Sequence, residues 1–148
     1  MKNKWIQIIA ICLLGFISQS EAAFNQRHGA KGVAMGSAFT AVADDLDTIN
    51  WNPAGLTNLS RPAFSYAGSD LMNVGLNYTF LTFGSNIRGS GIGISICKVK
   101  DTVLPYTEES YTLAGARRIG SFHLGGSFSL HKLDSYENGQ GYSLDLGL

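Results

Sequence analysis

The residues of this chain able to do chemistry are few, and their spacing argues against catalysis. His28, His123 and His131 could each ligate a metal, and Cys97 could act as a ligand or nucleophile. A zinc site needs ligands at short, repeated spacings, which these residues do not supply. No serine stands in a G-x-S-x-G turn, and no G-x-x-x-x-G-K-[ST] loop is present. Gly89-Ser90-Gly91-Ile92-Gly93 is glycine-rich, but it alternates as a strand does. Asp44-Asp45 has the form of a catalytic or calcium-binding pair. Capping of backbone amides around a turn, or exposure to water, is the simpler role for it. The sequence therefore assigns no catalytic residue, no metal and no cofactor, and the expectation is a protein that is not an enzyme.

The elements that would position these residues follow from composition. The chain has 148 residues, with 11 basic and 11 acidic side chains in balance. Such a balance offers no field to attract nucleic acid. Only 15% of the residues are charged, against about 25% in an average soluble domain. Its 18 glycines, 8 Phe, 6 Tyr and 2 Trp go the other way. That is the composition of a membrane barrel, although a soluble β-sandwich shares it.

Residues 1–22 read as a signal peptide. Lys2 and Lys4 precede an apolar run from Trp5 to Ile17, and Ser20-Glu21-Ala22 places small residues at −3 and −1. A helix of that length rises about 20 Å, too short for a hydrocarbon core of about 30 Å. Cleavage there leaves one cysteine, Cys97, so no internal disulfide is expected. Residues 23–61 are richer in small side chains. Ala30 to Ala43 could form a short helix, and Asn50-Trp51-Asn52-Pro53-Ala54-Gly55-Leu56 reads as a turn, because Pro53 biases Asn52 away from α.

From residue 62 to 148 the period becomes two. Apolar side chains fall at Phe64 and Tyr66; Val74, Leu76, Tyr78 and Phe80; Ile92, Ile94 and Ile96; Tyr111 and Leu113; Phe122, Leu124, Phe128 and Leu130; and Tyr142, Leu144 and Leu146. Gly, Ser, Thr, Asn and His occupy most positions between, and this parity places His123, His131 and Asp145 with the small residues. Six antiparallel segments with apolar-out, small-or-polar-in alternation are expected. The run Phe80-Leu81-Thr82-Phe83 breaks the phase and predicts a bulge. Short turns near Arg88 and Gly120 alternate with longer loops after Lys100 and Asp134, as in membrane barrels whose short turns are periplasmic. A soluble half-buried sheet also alternates, but its wet face carries Lys and Glu rather than Gly and Ser. Lys98 and Lys132 sit only at strand ends, where they can snorkel.

The run Gly29 to Asp45 (GAKGVAMGSAFTAVADD), followed by Asn50 to Leu56 (NWNPAGL), resembles the start of FadL-type outer-membrane proteins and of the related PorV/PorQ group. Gly139 to Gly147 (GQGYSLDLG) also resembles a strand of the latter. The resemblance implies a 14-stranded transmembrane β-barrel whose N-terminal segment folds inside as a short helical hatch containing Asp44, Asp45, Asn52, Pro53 and Ala54. It implies uptake of long-chain fatty acids or other hydrophobic compounds, with Met35, Phe39 and Trp51 as ligand-side lining, although plain packing also suits all three. In the PorV-like members a related barrel serves protein secretion or surface attachment, and Met35-Gly36 leans that way. A third reading is a soluble periplasmic β-domain. The expected partners are outer-membrane lipid, a hydrophobic small molecule and secretion-system proteins, and the expected location is the bacterial outer membrane. Six strands cannot close such a barrel, and open edges in lipid leave backbone groups unsatisfied. The reading therefore expects further strands beyond this sequence or several copies combining, and favours the first.

Overall fold

The computed structural model describes residues 29–35, 38–71 and 73–148. The signal-peptide reading, His28, Gly36 and the start of the 23–61 segment lie outside them. The described part is mostly antiparallel β-sheet: β1 (Ala63–Leu71), β2 (Leu76–Ile87), β3 (Ser90–Asp101), β4 (Thr107–Ile119), β5 (Phe122–Asp134) and β6 (Gly139–Gly147), paired in sequence order. Ahead of it lie a short helix α1 (Ala30–Ala34) and three 3-10 turns, η1 (Ala38–Ala41), η2 (Leu46–Asn50) and η3 (Pro53–Asn58). The expected single helix over Ala30 to Ala43 is thus replaced by two shorter pieces.

Local chemistry sets the connections. β2 and β3 join through Arg88 and Gly89, with φ of 52° and 79°. Two successive left-handed residues give a turn whose twist matches the strands it joins. β4 and β5 join through Gly120 (φ 61°) and Ser121, while the links at the opposite end of the sheet are longer. The alternation of short turns and longer loops agrees with the sequence reading. The β1 start, and with it the N-terminal segment, lies at the short-turn end.

Cross-strand register shows how each face is built. One face carries the row Phe64–Phe83–Ile94–Leu113–Phe128–Leu144, and beside it Tyr66–Leu81–Ile96–Tyr111–Leu130–Tyr142. Every member of both rows is apolar or aromatic. This face is bare: Phe64, Tyr66, Leu113, Leu144 and Leu146 are all largely exposed, Leu146 at 85%. The other face carries Gly84, Thr82, Gly93, Ser95, Thr112, Ala114, Ser127 and Ser129, and the N-terminal segment packs on it.

β2 corrects the sequence reading. Its register with β3 runs unbroken from Leu76 to Ile87, with no bulge. Leu76, Tyr78 and Phe80 lie on the covered face, and Phe80 is wholly buried. Leu81 and Phe83 supply the bare rows instead. Strand parity is continuous, so the aromatics of β2 simply occupy both faces, and no local break is needed.

Candidate functional site

The chain brings its distinctive motif residues together where the N-terminal segment sits on the sheet. Asn52 is extended (φ −155°), and its side chain accepts from the Ala54 amide at 3.3 Å, capping η3 with Pro53 in the first turn. Proline suits that position because its missing N–H has no helical partner to lose. The Asn52 amide nitrogen also donates to the carbonyls of Thr40 (3.1 Å) and Leu148 (2.9 Å). Asp45 caps η2 by accepting from the Asp47 amide at 2.9 Å. Asp44 turns outward and pairs with Lys31 at 2.5 Å, both side chains well exposed. Asp47 is buried, and desolvation, helped by neighbouring Asp45, pushes its carboxyl up to about 6.

The seat beneath is paved with glycine. A methyl group at Gly91 would stand 2.5 Å from Leu56 Cβ, and one at Gly93 2.5 Å from Ile49 Cδ1. At Gly125 it would overlap the backbone of Pro53 and Ala54, and at Gly147 the Asn52 side chain. Real Cβ contacts do not come so close, so backbone meets backbone here only because side chains are absent. Leu46, Ile49, Leu56 and Leu59 then bury themselves with Ala114 as an apolar cluster.

Polar bonds fix the segment against the strands. Thr57 shares a short hydrogen bond with His123 Nδ1, and Asn86 donates to the Thr57 carbonyl. Ser95 donates to Asn50 Oδ1 at 3.0 Å. Further towards the loops, the covered face carries a polar set of its own. His131 lies between Ser110 (2.9 Å) and Ser143 (3.1 Å), Thr112 contacts Ser129 (2.8 Å), and Ser127 donates to Asp145 at 3.2 Å. His123, His131 and Asp145 thus share the covered face, as their parity in the sequence predicted.

Met35, Phe39 and Trp51 are placed as follows. Phe39 is fully buried and meets Trp51 edge to face at 6.2 Å. Trp51 also fills the space a side chain at Gly32 would need, and Met35 stands at the surface. A hollow of about 280 Å³ opens where Val42, Ala54, Asn58, Phe122 and His123 meet, and it takes in none of the three. Sequence reasoning passed over Gly91, Gly93 and Gly125 as elements of a site, since glycine at alternate positions also reads as ordinary strand. The only signal was their excess on one parity.

No protein-family model matches the chain, and neither the curated proteins nor the solved structures hold a significant match. What the fold defines is therefore a class alone: a six-stranded antiparallel meander carrying a short helical N-terminal segment on one face.

Proposed function

We propose that the chain supplies a hatch and transmembrane strands of a bacterial outer-membrane β-barrel, resembling FadL-type channels for long-chain fatty acids or other hydrophobic compounds. The observation that carries this reading is an inversion of the usual sheet. A soluble sheet covers its greasy face, whereas here the glycine-and-serine face is covered and the rows through Phe83 and Leu81 stand bare. An outward apolar face opposite a small, polar interior is the arrangement of transmembrane strands. On β5 the apolar stretch from Phe122 to Leu130 covers eight steps, about 27 Å of strand. Tilted by about 40°, it spans about 20 Å of membrane, close to the roughly 25 Å apolar band of such barrels. The transport part of the reading rests on the resemblance; the hollow beside Val42 and Phe122 is lined by Asn52, Asn58 and His123 as well as by apolar groups.

The test uses single tryptophans in a Trp5→Phe, Trp51→Phe background. In phosphatidylcholine vesicles holding a quencher on the acyl chain, Leu113→Trp is quenched strongly and Thr112→Trp, its neighbour on the covered face, is not. Equal quenching of the two, or stronger quenching of Thr112→Trp, sinks the proposal.

A further inference from the structure

We propose that the bare face of β3, β4 and β5, at the loop end, binds the phosphomonoester headgroup of a membrane lipid. The site rests on the membrane reading above and adds a ligand to it. Directly beyond the tyrosine-bearing row Ile96–Tyr111–Leu130–Tyr142, the next row is Lys98–Glu109–Lys132–Gln140, and the one after it includes Lys100, Thr107 and Asp134. Apolar side chains stop and lysines begin at the same register on adjacent strands. These residues line a groove of about 570 Å³ on the outer surface. In register the groove lies one row beyond Ile96 and Leu130, so a lipid whose chains lie along those residues presents its headgroup there.

Charge decides what kind of headgroup fits. Glu109 is already engaged: Lys98 Nζ lies 2.7 Å from it, and the Tyr111 hydroxyl donates to it at 2.8 Å. Lys132 is held with its ammonium 5.7 Å from the centre of the Tyr111 ring, which fixes its direction without neutralising it. Among the described residues, neither Lys100 nor Lys132 has a carboxylate within ion-pair distance. Around the groove the ammonium groups of Lys98, Lys100 and Lys132 outnumber the carboxylates of Glu109 and Asp134 by one, so its net charge is positive. Lysine ammonium groups on long stems reach from an apolar surface to the headgroup level and hold phosphate as point charges. A phosphomonoester neutralises that excess, whereas a zwitterionic headgroup, with no net charge, leaves it in place.

The experiment places the full chain, as Tyr142→Trp in the Trp5→Phe, Trp51→Phe background, in phosphatidylcholine vesicles. Quenching by spin-labelled phosphatidic acid is compared with quenching by spin-labelled phosphatidylcholine, giving a relative association constant. The expected result is clear preference for phosphatidic acid. Lys100→Gln with Lys132→Gln weakens that preference about thirtyfold, at the usual worth of two lysines near an anionic lipid. Asp134→Asn strengthens it. Equal quenching by the two lipids, or a preference unchanged in the double variant, overturns the site while leaving the membrane reading intact. Complete displacement of phosphatidic acid by excess inorganic phosphate overturns the assignment to lipid. No quenching by either lipid overturns the site.

Discussion

Gly115 and Gly125 lie on neighbouring strands and look alike in the sequence, yet they stand in opposite surroundings. A methyl group at Gly115 meets nothing within 4 Å, while one at Gly125 overlaps the Pro53–Ala54 backbone. Gly125→Val should therefore lift the hatch at a cost of about 1–3 kcal/mol, as overpacking does. Gly115→Val should stay within about 0.5 kcal/mol of the parent. Denaturant melts followed by Trp51 emission in a Trp5→Phe chain measure both. Asp47 makes a second residue-scale prediction. Its carboxyl, raised from 3.8 to about 6, keeps its proton to higher pH in the folded segment than in the unfolded chain. Because the folded state binds the proton more tightly, this contribution is fully present below about 3.8 and lost as the pH rises through about 6. Hatch melting temperature should fall across that window and then level off, and Asp47→Asn should flatten the slope. A slope unchanged in that variant would assign the effect to another group.

At the scale of elements, the strands are told apart by their faces. If the bare rows meet lipid, Leu113→Lys costs about 2–4 kcal/mol near the midplane. Thr112→Ala, on the covered face, gives up a hydroxyl contact with Ser129 and costs about 1 kcal/mol. Refolding yields into vesicles distinguish the two, and a Leu113→Lys chain that refolds as well as the parent would argue for a soluble sheet. Much of this scale was legible beforehand. Strands β3 to β6 alternate a greasy residue with a small one, so parity reads straight off the sequence. β2 was misread because Tyr78 and Phe80 are large and apolar yet face inward, and residue type alone does not reveal which side of a strand is buried. The N-terminal segment was legible as Asn-Pro punctuation and small residues. Its division into α1 and three 3-10 turns was not, since that division depends on the glycine seat and on caps such as Asn52 that tertiary contact selects.

At the scale of the molecule, β1 and β6 are the edges of the sheet that the described residues form. An edge strand presents unpaired amides and carbonyls, which water tolerates and hydrocarbon does not. A lipid-inserted form must therefore pair both edges, with further strands or with other copies. Amide exchange reads this directly. The outward-pointing amides of β1 and β6 should exchange fast in the isolated sheet and be protected in the inserted form, and fast exchange in vesicles would argue against closure.

The smooth glycine floor under Leu56 and Ala54 has a mechanical corollary. Where glycine leaves the strands flat, the segment's register is held by Ser95 with Asn50, Asn86 with Thr57, His123 with Thr57, and Asn52 with the Leu148 carbonyl. Those few pegs index its position. Stripping them to alanine should leave the segment attached by its leucines yet free to settle in more than one notch along the sheet.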